Sequence, residues 1–325
     1  MDRILVAEKM DYEEFLEEWK NDKSYILALT SGSTGQPKEI RLNKDFVERS
    51  AERTNRFFSI GCNSRLHSCV SPDFIGGKMM AVRAEIGKCR LTWENPSNEP
   101  LKDQDREDKI DLLSVVPSQM IYILEHLESL PDLGAVIIGG GKIPNELRER
   151  IAASGINAYE SYGMTETASH IALRKVENQE IPFHTIEGIS VECDERMCLK
   201  IKFDSGEEFI TNDLAEAYSG QEFIIKGRID NIINSGGKKV SPEEIENKIS
   251  SLISSPFMIK GETDSKWGER IVLVIEGEKN DFDIEVLHKE IQRLLPRWQV
   301  PKEIKIIDKL PRTKNGKLIR FNDVS

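Results

Sequence analysis

Residues 25–38 read YILALTSGSTGQPK, an apolar run that leads directly into hydroxyl residues and glycines and ends in a lysine. This order predicts a strand followed by a phosphate-binding loop, because glycines let backbone N–H groups turn toward an anion while hydroxyls and an ammonium group add donors. The candidate residues are Thr30, Ser31, Gly32, Ser33, Thr34, Gly35 and Lys38. The segment is not the GxxxxGK[ST] loop of P-loop NTPases, since Lys38 follows a proline and precedes neither Ser nor Thr. A polar surface turn is the alternative.

Beyond this loop, as far as Lys175, short apolar runs alternate with amphipathic stretches. In chain order they read KDFVERSAERTNRFF, LLSVV, SQMIYILEHL, AVIIGGG, PNELRERIAAS and NAYESYG. Such alternation of helix and strand patterns predicts a layered α/β domain. Pro144 and Gly155 flank one of these patterns as the usual start and stop signals of a helix.

The pattern of the sequence changes after Ile189. Short strand-like pieces (VEC, CLKIKF, EEFIT, EFIIK) are separated by turn residues, which predicts a β-rich subdomain. After the GRID segment a compact α+β region follows. We therefore predict an α/β protein with a large N-terminal domain at residues 1–229 and a small, mobile α+β C-terminal domain at residues 230–325.

Composition restricts the classes of partner. The 325 residues carry 45 Lys and Arg against 56 Asp and Glu, a net charge of −11 that provides no general attraction to nucleic acid or to an anionic membrane. Neither is expected as a partner, and no apolar run is long enough to span a bilayer. The five cysteines form no CxxC pair and no export signal begins the chain, which favours a reducing cytoplasm. The five histidines show no metal-ligand spacing.

Four segments in chain order resemble one family. They are TSGSTGQPK, YGMTE at residues 162–166, GRIDNIINSGGKKVSPEEIE at residues 227–246 and PRTKNGK at residues 311–317. Together they are similar to the signature segments of the acyl-adenylate-forming superfamily, which includes acyl-CoA synthetases. The resemblance implies a shortened version of that family's fold, Mg²⁺ as cofactor, and ATP and CoA as co-substrates.

The resemblance also implies roles in the nucleotide site. Tyr162, followed by Gly163, would pack on adenine, with Gly139, Gly140 and Gly141 as the opposite wall. Thr165 would hydrogen-bond phosphate and Glu166 would hold Mg²⁺, a hard cation that prefers carboxylate and phosphate oxygens. The alternative for YGMTE is a core tyrosine before a capped helix start.

Further roles follow for the second half of the chain. Asp213 and Arg228 would bind the ribose hydroxyls, although Asn212 stands where the family usually has glycine. A turn aspartate is the alternative for Asp213. Lys317 resembles the adenylating lysine, which would stabilise the negative charge that grows as a carboxylate attacks the α-phosphorus. A solvated lysine near the chain end is its alternative.

The two half-reactions that the resemblance implies have different geometric requirements. Asp230 would be the hinge between them, and Gly236 and Gly237 would lie against the pantetheine arm of CoA, unless they form only a β-turn.

The expected reaction is formation of an acyl-adenylate and then of a CoA thioester. Within the superfamily the run YGMTETASHIALR most resembles the ligase branch that acts on o-succinylbenzoate in menaquinone biosynthesis. Ser169, His170 and Arg174 are the candidates for binding this acid, with an ordinary exposed strand as the alternative. Another small aryl or short-chain acid, or a separate carrier protein as acyl acceptor, stays open. The abridged N-terminal region makes a homodimer plausible.

Overall fold

A computed structural model describes residues 11–30, 38–278, 281–312, 318 and 320. The chain forms two compact units, Met1–Ile189 and Ser190–Ser325. Among the described residues, no helix is long and apolar enough to cross a membrane.

The first unit alternates helices and strands, as the sequence pattern predicts. Its elements are α1 (Tyr12–Lys20), β1 (Tyr25–Thr30), β2 (Lys38–Asn43), α2 (Lys44–Phe57), β3 (Arg65–Ser68), α3 (Ile75–Gly87), β4 (Arg90–Trp93), β5 (Lys109–Val115), α4 (Pro117–His126), β6 (Asp132–Ile138), α5 (Asn145–Ser154), β7 (Ala158–Met164), β8 (Ser169–Lys175) and β9 (Phe183–Thr185). The strands and helices predicted from LLSVV, SQMIYILEHL and PNELRERIAAS are confirmed as β5, α4 and α5.

The main sheet of this unit has the strand order β9-β8-β7-β6-β5-β3-β4. Strands β3 to β7 are parallel, whereas β8 and β9 are antiparallel to their neighbours. The central parallel strands β5 and β6 are buried on both faces over their carboxyl-terminal halves. Ile138 belongs to an apolar cluster with Ile151 of α5, while the preceding Ile137 belongs to a separate cluster with Met80 of α3. Burial on both faces explains the continuous apolar runs of β5 and β6.

Local signals fix the ends of the helices. Asn43 caps α2, since its side-chain oxygen accepts from the backbone N–H groups of Asp45 and Phe46. Helix α5 starts directly after Pro144 and stops at Gly155, whose φ of 76° is left-handed. Both predicted signals are confirmed.

The second unit is built from short strands and two α-helices among its described residues. Its elements are β10 (Ile189–Cys193), β11 (Cys198–Phe203), β12 (Glu208–Ala217), β13 (Glu222–Arg228), β14 (Ile233–Ser235), β15 (Lys238–Val240), α6 (Pro242–Ile249), β16 (Phe257–Asp264), β17 (Gly268–Glu276), α7 (Ile284–Leu294) and β18 (Glu303–Ile307). Strands β10 to β13 lie in order, and β15-β14-β17-β16 form another sheet in which β18 pairs with β17. The predicted α/β class, with a β-rich segment and an α+β C-terminal region, is confirmed.

The change from one sheet to the other occurs at a short 3-10 helix, Ile229–Asn231. This helix contains Asp230, where the sequence predicts the domain boundary. The contact-defined units divide instead at Ile189. A boundary at residue 230 and the mobility of the region beyond it stay predictions.

Candidate active site

The predicted phosphate loop lies between two paired strands. β1 and β2 are antiparallel, and Thr30 stands opposite Lys38. The Thr30 hydroxyl oxygen accepts from the backbone N–H of Lys38 at 3.3 Å. The base of the loop is therefore a β-hairpin, while Ser31, Gly32, Ser33, Thr34 and Gly35 lie outside the described residues.

A hydrogen bond connects this hairpin to the YGMTE segment. The hydroxyl of Thr165 donates to the backbone oxygen of Leu29, the residue before Thr30, at 3.3 Å. Two segments separated by 136 positions in sequence thus meet at the end of β1. The contact places Thr165, and beside it Glu166, next to the predicted phosphate loop.

Thr165 and Glu166 belong to a short 3-10 helix, Thr165–Thr167, that follows β7. Thr167 holds the turn, because its hydroxyl oxygen accepts from the backbone N–H of Met164 at 3.1 Å. Ala168 and Ser169 then adopt left-handed φ values of 50° and 85°, which reverse the chain into β8. This sharp turn presents the Glu166 carboxylate without burying it.

Gly163 is required by the same reversal. A Cβ at this position would lie 2.2 Å from the backbone oxygen of Ser169, far inside van der Waals contact. The glycine between Tyr162 and Met164 is therefore explained by packing within the protein. A nucleotide-binding role for it stays a prediction.

The glycine run lies beside β7 at the carboxyl end of β6. The backbone N–H of Gly139 donates to Val115 O at 3.0 Å, and a Cβ there would come to 3.0 Å from the Ser161 hydroxyl. Gly140 has a φ of 81°, so its backbone favours glycine. A Cβ on Gly141 would meet no described atom within 4 Å. The fold thus explains the first two glycines but not the third.

Tyr162 follows Ser161 on β7, so the predicted adenine platform and the glycine run occupy neighbouring strands. The Tyr162 ring is half-buried and lies 5.7 Å from the ring centroid of Phe183. An aromatic ring supported in this way offers a flat apolar surface for stacking.

Beneath the glycine run lies a buried ion network that the sequence patterns did not reveal. One oxygen of Glu160 accepts from Arg148 at 2.7 Å and from Nε of Arg174 at 2.9 Å. Its other oxygen accepts from the backbone N–H of Ile143 at 3.3 Å, which ties the loop after Gly141 to β7. The only sequence signal is that Glu160 stands two positions before Tyr162 on a strand, and its partners are not local in sequence.

Arg174 is buried in this network. Besides Glu160 it pairs with Glu180 at 2.8 Å, donates to Ile181 O at 3.1 Å, and stacks its guanidinium 4.2 Å from the Phe183 ring centroid. Burial raises the pKa of Glu180, but Lys142 and Arg174 outweigh it and lower that pKa overall. Each guanidinium nitrogen of Arg174 already has a protein partner. Binding of the acid by Arg174 stays a prediction, and it would require the residue to exchange one of these partners.

His170 also has internal partners. It is buried, with Nε2 3.1 Å from the Thr54 hydroxyl and Nδ1 3.4 Å from Arg83. Burial, followed by the charge of Arg83, holds the pKa of His170 well below its usual value, so the ring is neutral. Ser169 is less buried than His170 and is the first residue of β8. Acid binding by Ser169 and His170 stays a prediction.

In the second unit, the predicted ribose-binding pair is adjacent. Asp213 on β12 stands opposite Arg228 on β13, and Arg228 donates to the Asp213 carboxylate at 3.0 Å. Arg228 also reaches Asp230 at 2.8 Å. The amide of Asn212 donates to both oxygens of Asp230 at 3.2 Å. The residue that departs from the family pattern therefore contacts the predicted hinge.

Gly236 and Gly237 form the two-residue turn between β14 and β15. Their φ values of 58° and 77° are left-handed. A two-residue hairpin turn requires such values, because they let the turn match the twist of the flanking strands. The β-turn alternative is confirmed, while contact with CoA stays a prediction. Lys317 lies outside the described residues.

Comparison with known proteins gives the same assignment for both parts of the chain. The AMP-binding enzyme family matches residues 4–197, and the AMP-binding enzyme C-terminal domain family matches residues 258–317. A 2-succinylbenzoate–CoA ligase from Listeria monocytogenes (serotype 4b, strain F2365) is 30% identical over 344 residues, covering 95% of this chain and 72% of the ligase. The corresponding ligase from Escherichia coli K12 is 26% identical over 92% of this chain and 67% of its own length.

Solved structures are similar as well. The acyl-CoA synthetase (AMP-forming)/AMP-acid ligase II-like protein from Dyadobacter fermentans is 33% identical, with a TM-score of 0.62 over 94% of this chain and 90% of its own. The o-succinylbenzoate CoA synthetase from Bacillus subtilis, solved with its acyl-adenylate intermediate, shares the fold at 20% identity, with a TM-score of 0.78 over 90% and 67% of the two chains. By its motifs, its fold and these matches, the chain belongs to the AMP-binding enzyme family.

Proposed function

We propose that this protein is an AMP-forming acid–CoA ligase whose acid is o-succinylbenzoate, placing it in menaquinone biosynthesis. The observation that carries the adenylating activity is the Thr165 hydrogen bond to Leu29 O. It brings the Thr165–Glu166 turn to the hairpin that holds Thr30 and Lys38 at the base of the phosphate loop. This contact supports the proposal that both segments bind the triphosphate.

In the first half-reaction an oxygen of the substrate carboxylate attacks the α-phosphorus of ATP, and the bond to pyrophosphate breaks. Negative charge increases on the phosphate and bridging oxygens, so hydroxyl and ammonium donors beside them lower the barrier. Thr30, Thr165 and Lys38 are the proposed donors among the described residues. The two hydroxyls now donate to Lys38 O and Leu29 O, so each would exchange that backbone oxygen for a phosphate oxygen. Lys317 is proposed as the cation that is required only in this step.

The residues present fit a magnesium ion. Glu166 is half-exposed at a turn beside the loop, and among the described residues no group donates a hydrogen bond to its carboxylate. Mg²⁺ is usually bound through one or two carboxylates together with substrate phosphates. When bound, the ion would neutralise phosphate charge, and Glu166 would hold it beside Thr165.

For the adenosine portion of the nucleotide, the proposed contacts follow the residue roles that the sequence predicts. Tyr162 would stack on adenine, and Gly141, whose missing Cβ no protein contact explains, would allow close approach. Asp213 would accept from the ribose hydroxyls, oriented by its bond from Arg228.

In the second half-reaction the sulfur of CoA attacks the acyl carbonyl, AMP leaves with the bonding electron pair, and the thiol proton passes to solvent. Asp230 is proposed as the hinge that separates this step from the first. The Asn212 bonds to Asp230 support a role for Asn212 in holding one hinge conformation.

The identity of the acid is supported by the relatives rather than by a described pocket. Several curated relatives that align with more than nine-tenths of this chain are 2-succinylbenzoate–CoA ligases. Of the predicted acid-binding residues, Ser169 is the one whose side chain has the fewest hydrogen-bond partners within the protein. Another small aryl or short-chain acid, or transfer to a carrier protein, are the alternatives.

The first experiment is acid-dependent exchange of pyrophosphate into ATP in Mg²⁺, followed by identification of the nucleotide product. We expect AMP, and formation of ADP would contradict the adenylating mechanism. Catalytic efficiency is then compared for o-succinylbenzoate, benzoate, coumarate and octanoate with CoA. A preference for any monocarboxylate would overturn the acid assignment and leave the adenylating activity standing.

Two further expectations belong to this proposal. The five cysteines are all free, which supports a cytoplasmic location. A homodimer is also proposed, and size-exclusion chromatography with light scattering measures it directly.

A further inference from the structure

Three potential metal ligands converge at the edge of the sheet in the first unit. His67 lies on β3, Cys69 follows that strand directly, and Glu94 follows β4 directly. The ligand atoms of the three side chains all lie within 4.8 Å of one another. None of these residues belongs to the proposed nucleotide site.

The pairing of two strands produces this cluster. β3 and β4 are parallel, with His67 opposite Thr92. Residues two apart on an extended chain point to one side, so His67 and Cys69 face together and Glu94 lies across from them. The backbone of Cys69 is held by Ser114 O at 3.1 Å and by the Gln119 amide at 3.0 Å.

Hydrogen bonding fixes the tautomer of His67. The Thr92 hydroxyl has one hydrogen, and Leu66 O, 3.3 Å away, accepts it. His67 Nδ1, which lies 2.8 Å from the same hydroxyl oxygen, must then be the donor. In the neutral ring Nε2 consequently carries a lone pair.

That lone pair is directed into the cluster. His67 is fully buried, and its Nε2 has no hydrogen-bond partner among the described residues. A Glu94 oxygen lies 3.5 Å from Nε2, and it has no hydrogen to donate when ionised. Two electron-rich atoms facing each other in a buried site repel unless a proton or a metal cation lies between them.

The spacing fits a tetrahedral ion. Two ligands at about 2.0–2.1 Å from a tetrahedral zinc are about 3.3 Å apart, close to the observed 3.5 Å between His67 Nε2 and Glu94. The Glu94 carboxylate is oriented by the backbone N–H of Leu101, which lies 3.1 Å from both of its oxygens. The Thr92 bond orients the imidazole in the same way.

We propose that His67 Nε2, the Cys69 thiolate and the Glu94 carboxylate bind one Zn²⁺, with solvent in the fourth position. A nitrogen, sulfur and oxygen donor set is typical of zinc and excludes Mg²⁺ or Ca²⁺, which take oxygen ligands. Binding releases the Cys69 thiol proton to solvent and forms the Zn–S bond. The site fastens β4, the edge strand of the sheet, to β3 and is separate from the nucleotide chemistry.

The test uses the full chain, stripped with a chelator and titrated with Zn²⁺ or Co²⁺ alone. We expect one tightly bound ion per chain and, with Co²⁺, the near-ultraviolet absorption of a cobalt–thiolate bond. Cys69→Ser should abolish that absorption. The matched control is Cys89→Ser, a partly buried free cysteine of the same unit, which should retain it.

A second variant probes the site without removing a ligand. Thr92→Val should weaken Zn²⁺ binding about 10–100-fold, the usual effect of losing the hydrogen bond that orients a metal-bound imidazole. Circular dichroism of each stripped variant shows that the fold is retained. The proposal would be overturned if wild-type protein lacked the thiolate absorption, or if wild type and Cys69→Ser bound Zn²⁺ with equal affinity. Either result would indicate a metal-free cluster in which a thiol or imidazolium hydrogen donates to Glu94.

Discussion

Replacing Glu160 by Gln removes the charge at the centre of the buried network under the glycine run. The substitution keeps the shape of the side chain. Glu160 accepts from Arg148 and Arg174 on one oxygen and from Ile143 N–H on the other. An amide has one acceptor oxygen and one donor nitrogen, so in either orientation it places a donor against a donor.

The magnitude follows from burial. The side chains of Glu160, Arg148 and Arg174 are 4%, 2% and 2% exposed, so solvent cannot replace the lost partner. Removing one member of a buried ion pair costs about 3–5 kcal/mol of the free energy of unfolding. We expect that loss for Glu160→Gln. Urea denaturation followed by circular dichroism measures it.

The control is the same substitution in an exposed ion pair. Glu187 pairs with Arg56 at 3.2 Å, but the two side chains are 77% and 56% exposed. Glu187→Gln should therefore change the free energy of unfolding by less than about 1 kcal/mol. Equal effects of the two substitutions, or a loss below about 1 kcal/mol for Glu160→Gln, would refute the assignment of a stabilising buried network.

Four further outcomes are expected. Lys317→Ala should suppress adenylation strongly and leave thioester formation from supplied acyl-adenylate intact. Single-turnover assays of each half-reaction measure both rates, and an equal loss in the two would indicate a folding role. Asp230→Pro, which fixes φ, should impair thiolation more than adenylation, and the same two assays check it. Gly141→Ala should leave the melting temperature unchanged but raise the KM for ATP, because only a bound nucleotide would meet the added Cβ; an unchanged KM would remove Gly141 from the adenine site. Burial raises the pKa of Glu262, but Lys305, Lys260 and Arg270 outweigh it and lower that pKa from 4.5 to about 2. The free energy of unfolding that wild type gains over Glu262→Gln should therefore be complete above pH 4.5 and decrease as the pH falls toward 2. Acid denaturation of both proteins measures it.

Local patterns predict much of this fold because its strongest signals are local. A buried parallel strand such as β6 appears as an uninterrupted apolar run, and Pro144 and Gly155 mark the ends of α5 without reference to the rest of the chain. The same holds for β1, which ends where the run of hydroxyls and glycines begins, whereas its antiparallel partner β2 was not predicted.

Contacts between distant strands could not be predicted in this way. The metal-ligand cluster depends on the register that sets His67 beside Thr92, 25 positions later. The sequence shows only that His67 and Cys69 are two positions apart, and nothing local places Glu94 beside them. The burial of His170 and Arg174 has the same origin, since their partners Thr54, Arg83 and Glu160 lie on other elements.

Ala168 and Ser169, the two residues that reverse the chain after the Glu166 turn, have a consequence for how this protein can change. Each has a side chain in a backbone region that L-residues avoid, at a cost on the order of 1 kcal/mol or more. A glycine at either position would remove that cost. It would also make the backbone more flexible, so the neighbouring Glu166 carboxylate could point in more directions. Mutations selected only for thermal tolerance should therefore accumulate at this turn, and those selected for turnover should avoid it.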